Sequence, residues 1–254
     1  MSSLRGLLIA IAFGVLATAQ ASAAQFSAAQ TTEIRSIIKD YLMEHPEVLR
    51  DAITELDERE KTAEADARKK ALTDLAAQLY DAPDGFVIGN PSGKIKLVEF
   101  FDYNCGYCKK ALPDLGRLIA DNKDLKVILR DFPILSPSSV DAALFAVAAH
   151  NQFQGDKFWD FHRKLLSEHG LVGKEQAISI AQAMGADMGK LNEDAANPKA
   201  RSAIQQSDAL AKSLSLTGTP TYVVGDDVLV GAVGYDQISK TIGNVRKCGK
   251  AMCS

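Results

Sequence analysis

A pair of cysteines two residues apart, set between an apolar run of strand length and a helical stretch, constrains this chain more than any other feature. Ile95 to Phe101 (IKLVEFF) carries β-branched and aromatic residues without a turn former, and Leu125 to Leu129 (LKVIL) is a second such run. Between them, Cys105-Gly106-Tyr107-Cys108 opens a helix. Strand, helix, strand in that order predicts a βαβ unit with parallel strands and a right-handed crossover. The first cysteine then stands at a helix N-terminus, where unpaired N–H groups and the positive end of the dipole favour a thiolate. Cys105 is expected to turn its sulfur to solvent and attack a disulfide. Cys108, one turn further in and more shielded, is expected to resolve the mixed disulfide. This cycle uses no cofactor beyond a redox-active Cys105–Cys108 disulfide.

Two cysteines remain, Cys248 and Cys253, near the far end. Four cysteines allow three pairings, and bridging within each short-spaced pair is the simplest; cross-pairing would close a loop of about 140 residues. A zinc site would have to bring both pairs together, because no histidine stands beside either; no metal is expected. Cys248–Cys253 reads as a structural bridge pinning the C-terminus, with a second redox relay or a metal-binding tail as alternatives. The four histidines, His45, His150, His162 and His169, show no ligand spacing and read as surface or packing residues.

The chain of 254 residues is 46% hydrophobic and 24% charged, the composition of a folded globular protein. Its net charge of -3 lacks the basic footprint of phosphate-backbone binding, so nucleic acid is not an expected partner. Arg5, the apolar run from Gly6 to Ala17 and Ala21-Ser22-Ala23 fit a signal peptide spanning residues 1–23, cleaved after Ala23. The run is shorter than the ~20 residues that span a bilayer. Export places the mature protein in an oxidising compartment, the periplasm if the cell is bacterial.

Residues 24–82 read as a helical arm. Ile34, Ile37, Ile38, Tyr41 and Leu42 share one helical face, His45-Pro46 marks a break, and Leu49, Ile53, Leu56, Ala63 and Ala67 continue a thin apolar stripe among charges. So thin a stripe has no core of its own and must lie against something, which makes the arm either a homo-oligomerisation element or a linker resting on the main domain. The second domain covers residues 83–254. Within it, about 137–216 reads as an all-helical insertion begun by Ser136-Pro137, and strands return at Thr221–Val224 and Val228–Val230 around Gly225-Asp226-Asp227. A last helix runs from about Tyr235 to Arg246.

Glu99 is the odd residue in its apolar strand. A carboxyl desolvated there has a raised pKa and can move protons to and from Cys108; an edge-strand glutamate in water is the alternative. Pro113, inside the helix of the cysteine pair, reads as a kink.

The segment from Val98 to Cys108 (VEFFDYNCGYC) resembles the active-site stretch of the DsbA-like branch of the thioredoxin superfamily, as do Asn90-Pro91, Arg130-Asp131-Phe132-Pro133 and Thr219-Pro220. The resemblance covers roughly residues 86–246. It implies an α/β thioredoxin fold with an inserted helical domain, here preceded by the extended helical arm. It also implies a protein thiol–disulfide oxidoreductase with cysteine-containing protein substrates and a membrane redox partner that resets the pair. Pro220 would be a cis proline facing Cys105, and Thr219 would offer its backbone to an extended substrate and its hydroxyl to the Cys105 sulfur. Gly106 and Tyr107, with Thr219, are similar to isomerases and ScsC-type members rather than to the strongest oxidases. The expectation is therefore a disulfide isomerase or reductase, with an oxidase as the alternative and a copper-binding or chaperone-like protein as the rival from another class.

Overall fold

The computed structural model describes residues 26–81 and 86–253. The expected signal peptide lies outside the described residues. The chain divides into two compact units, one ending at Glu58 and the other running from Arg59. The division falls earlier than the expected 82/83 boundary, inside a helix, because that helix is exposed over its first part and buried near its end.

In the first unit, α1 (Ala28–Glu44) begins with a reciprocal capping box between Ser27 and Gln30. His45 ends it and Pro46 starts α2 (Pro46–Asp74), as proline at a first helical position permits. No residue of α1 is buried. Ile37 and Ile38 stand 60% and 53% exposed, and Ile53 and Leu56 continue the exposed apolar series.

The second unit is built on a five-stranded sheet of order β1-β3-β2-β4-β5. β1 (Phe86–Gly89) runs antiparallel to β3 (Leu125–Asp131), β3 runs parallel to β2 (Ile95–Phe101), and β4 (Thr221–Val224) and β5 (Asp227–Val230) close the other side as an antiparallel hairpin. The expected hairpin turn is one residue shorter than read, because Asp227 already pairs with Val224. Gly225, at φ +62°, takes the left-handed position that this two-residue turn needs. β2 and β3 flank α4 (Gly106–Asp121), the expected βαβ unit.

Alternation along β2 sends residues to two cores. Leu97 and Phe101 face one side with Leu115 and Leu118 of α4, Val127 and Leu129 of β3, and Ile238 and Ile242 of α10 (Tyr235–Cys248). Val98 and Phe100 face the other with Leu72 of α2, Leu79 of α3 (Ala76–Tyr80), and Leu210 and Leu214 of α9 (Pro198–Ser213). The helical stretch after Ser136 thus divides. α5 (Pro137–His150), α6 (Asp156–Ser167), α7 (Lys174–Ala183) and α8 (Met188–Ala196) extend the first core, whereas the end of α9 lies beneath the sheet on the second. Among the described residues no helix is long and apolar enough to cross a membrane.

Candidate active site

β2 delivers the chain to the site at its C-terminal end. Asp102 shapes the exit: its backbone carbonyl accepts from the Cys105 N–H at 3.0 Å, and its carboxylate accepts from the N–H groups of Asn104 (2.7 Å) and Leu135 (3.0 Å). Cys105 is then the N-cap of α4, in extended backbone conformation, and its sulfur accepts the Cys108 N–H at 3.4 Å. The two cysteines are free thiols. Pro113 lies within α4, as read from sequence.

One expectation needs correction. Cys105 does not turn its sulfur openly to solvent: the residue is 5% exposed, because the loop before β4 folds over it and the thiol donates to the Thr219 carbonyl at 3.1 Å. Access runs past its neighbours. Gly106 is exposed, with nothing within 4 Å of where a Cβ would stand, and Tyr107 is 64% exposed. Cys108 is fully buried.

The electrostatics separate the two sulfurs. A hydrogen bond from the Cys108 thiol, followed by contributions from the Thr219 side chain and the Cys108 and Tyr107 N–H groups, holds the Cys105 thiol down to about 5 against the opposing effect of burial. Burial, first of all, pushes the Cys108 thiol well above the ordinary thiol range, and donation to Cys105 and the nearby Glu99 carboxylate add to it. One sulfur is therefore a stable anion at neutral pH while its neighbour keeps its proton.

The Thr219–Pro220 peptide is cis, and Pro220 is buried. Thr219 meets the cysteine through its backbone as well as through the expected side chain. It is its backbone carbonyl that takes the hydrogen bond from the thiol, while its hydroxyl oxygen is buried without a hydrogen-bond partner in this state and favours the sulfur only once ionised.

Glu99 belongs to a central strand, paired with Leu129 on one side and Tyr222 on the other, which overturns the edge-strand alternative. It is 2% exposed and one carboxyl oxygen has no hydrogen-bond partner. Burial raises its pKa to about 8, against a lowering hydrogen bond from Tyr222. Glu99 shares its face of β2 with Phe101, whose core includes Cys108.

Sequence reasoning passed over four residues here. Asn104, Tyr103 and His162 tie the cysteine turn to the helices: the Tyr103 hydroxyl lies 3.1 Å from the His162 Nδ1, and His162 is fully buried and held neutral by burial, its pKa lowered to about 3. Asp131, the β3 partner of Phe101, is buried with its carboxyl pushed well above the usual range, first by burial and then by Asp102. The signal for Asn104 was its place next to Cys105, and the signal for His162 is its helical spacing with Phe158 and Leu165, which bears out the packing side of the histidine reading. Cys248 and Cys253 are bonded to each other, and the Ala251 N–H in the loop they close donates to Asp226 of the hairpin turn. Among the described residues no group of three or more His, Cys, Asp or Glu gathers as a metal site.

Residues 96–243 match the model of the DSBA-like thioredoxin domain. The chain belongs to that family. Residues 30–63, within the arm, match a second model, the copper resistance protein ScsC N-terminal domain. A thioredoxin-like oxidoreductase from Silicibacter pomeroyi is 35% identical, with 68% of this chain and 98% of that chain covered and a TM-score of 0.64. A linker-deleted mutant of Proteus mirabilis ScsC is 27% identical, covering 89% and 99% of the two chains at a TM-score of 0.65. Disulfide bond formation protein D of Bacillus subtilis is 26% identical over 169 residues, 61% of this chain and 74% of its own length. The chain spans only 28% and 24% of the length of two other curated relatives, sodium/proton antiporters of Salinispora arenicola and Salinispora tropica. The α/β fold is thus the thioredoxin-like fold of DsbA and ScsC proteins, with its helical insertion.

Proposed function

We propose that this protein exchanges disulfides with cysteine-containing proteins in the periplasm, as an isomerase or reductase. The observation that carries the reading is the Cys105 sulfur at the mouth of α4, accepting the Cys108 N–H while a protonated thiol lies beside it. The Cys105 thiolate attacks one sulfur of a client disulfide; a new S–S bond forms and the client's other sulfur leaves as a thiolate. If that thiolate attacks another client disulfide, the client thiolate released there can in turn attack the mixed disulfide, which forms a new client S–S bond, breaks the bond to Cys105 and returns the Cys105 thiolate with no net redox change. If Cys108 instead loses its proton to Glu99 and displaces the client, the client leaves reduced and the Cys105–Cys108 pair is oxidised, to be reset by a membrane redox partner. No other cofactor enters.

Pro220 and Thr219 hold the client strand beside the sulfur, and exposed Tyr107 offers it an apolar contact. The exposed apolar series of α1 and α2 suits a homo-oligomer that presents several thiolates to one misfolded chain, which favours reshuffling over one-pass oxidation. Cys248–Cys253 serves as a structural staple for the C-terminus.

Recovery of scrambled ribonuclease, set beside oxidation of reduced ribonuclease, tests the direction. The wild type is expected to restore scrambled substrate. The double substitution Ile37→Glu, Ile38→Glu is expected to lower the mass in solution to that of a monomer and to cut this recovery at least ~10-fold, leaving simple oxidation intact. Efficient oxidation without recovery would make the protein an oxidase. An unchanged mass would remove the oligomer from the account. A second reading, Cu(I) held by the same two thiols, draws on the arm's match to the ScsC N-terminal domain; tight copper uptake with no disulfide turnover would favour it.

A further inference from the structure

Three consecutive residues ahead of Cys105 make side-chain hydrogen bonds toward the helical insertion, while the Tyr103 ring also packs edge-on against Phe101 of β2. Asp102 accepts from the Leu135 N–H at the entry to α5, Tyr103 meets His162 of α6, and Asn104 reaches furthest. The Asn104 amide brackets one residue of the loop between α6 and α7: its oxygen accepts the Val172 N–H at 2.7 Å, and its nitrogen donates to the Val172 carbonyl at 2.8 Å. The second amide hydrogen goes to the Ser139 hydroxyl on α5 at 3.0 Å. Both N–H donors and the oxygen are thus engaged, so the side chain has no spare group and only one orientation that satisfies all three bonds. From the next turn of α4, the Lys109 ammonium donates to the Glu168 carbonyl of the same loop at 2.6 Å.

The amide is one peptide unit from the sulfur it flanks. Any rotation of the insertion against the sheet must pass through this bracket, and any loosening of it frees the backbone that aims the Tyr107 and Cys108 N–H groups. We propose that Asn104 is a positioning residue: it registers the helical insertion against the cysteine turn and so fixes the hydrogen-bond geometry around the Cys105 sulfur. The titratable groups that bear on that sulfur are Cys108 from α4 and Glu99 from β2. His162 from α6 touches only Tyr103 in this network and stays neutral, and Lys109 is turned to Glu168. None of them is changed by substitution of Asn104. The proposal rests on the exchange reading above for its consequence, but its readout is a titration and not a turnover.

The molecule contains its own control. Gln152 makes the same kind of bracket inside the insertion, accepting the Asp187 N–H at 2.8 Å and donating to the Asp187 carbonyl at 3.0 Å. Asn104→Ala removes a part-buried bracket beside the cysteine together with its bond to Ser139, and Gln152→Ala removes an exposed bracket of the same pattern away from it. Alkylation of Cys105 by iodoacetamide in the reduced full chain, followed by mass spectrometry across pH, reads the fraction of thiolate. In Asn104→Ala the midpoint is expected to rise by about one unit, which at pH 5 makes the reaction about five times slower; in Gln152→Ala the midpoint stays at the wild-type value while thermal stability falls. Ser139→Ala, which removes one of the three bonds, is expected to move the midpoint the same way by less, and serves if Asn104→Ala does not fold. A midpoint unchanged in every folded Asn104 or Ser139 variant would overturn the proposal and leave the bracket a purely structural tie. A wild-type midpoint in the ordinary thiol range would instead sink the exchange reading itself, so the two failures are separable.

Discussion

Cys105→Ala abolishes disulfide exchange, by ~10³-fold or more, while Cys108→Ala retains the first chemical step and accumulates protein bound to its clients. The difference follows from the environments of the two sulfurs. Cys105, held ionised by the Cys108 thiol and by N–H groups at the start of α4, is in the proposed function the nucleophile for which nothing else in the site can substitute. Cys108 is buried and protonated, and has no role until a mixed disulfide has brought a client sulfur next to it. Non-reducing electrophoresis of reduced Cys108→Ala mixed with scrambled, disulfide-bonded clients checks both parts: adducts should form through Cys105 and disperse with dithiothreitol. Adducts formed through Cys108 in the Cys105→Ala protein would reverse the assignment.

Glu99→Gln has two effects of opposite sense. Removing the base that takes the Cys108 proton slows resolution by ~10²-fold, and the wild-type rise in resolution rate toward pH 8, where Glu99 ionises, is lost. Stability moves the other way. With a folded pKa of about 8 against about 4.5 unfolded, Glu99 binds more protons in the native state throughout that interval. Its contribution is complete below the unfolded value and is lost as pH rises through 8. The stability difference between variant and wild type should therefore shift toward the variant by ~1.4 kcal/mol per pH unit between about pH 5 and 8, roughly 3 kcal/mol in all by neutral pH. Denaturant unfolding of the oxidised forms at several pH values measures it, oxidation removing the opposing titration of Cys105. A difference that does not vary with pH would mean that Glu99 is already ionised in the native protein at pH 5.

The sequence carried the architecture where local pattern and tertiary role coincide. IKLVEFF and LKVIL are legible as buried strands because both faces of a central strand are covered, and the cysteine pair is legible as a helix start because a strand ends four residues before it. The break at His45-Pro46 followed from proline's geometry alone. Glu99 stood out because a carboxylate in such a run has no water to meet. What stayed hidden depends on contacts distant along the chain. The burial of Cys105 under Thr219 links residues 114 apart, and the bracket of Asn104 on Val172 spans 68. Likewise, nothing local distinguishes α9, whose end crosses beneath the sheet, from α5 to α8. The division at Glu58 has no mark in the sequence because periodicity is continuous through α2, in which Leu72 is the buried residue.

The claim on which the rest depends is that the Cys105 sulfur is an anion at neutral pH while it sits at the helix mouth. Its rate of alkylation in the reduced wild-type protein, followed from pH 3 to 10, tests this most directly. The account predicts a single rise with its midpoint at about pH 5 and a plateau well before neutrality. A midpoint near 8.5, the value of an ordinary thiol, would contradict it.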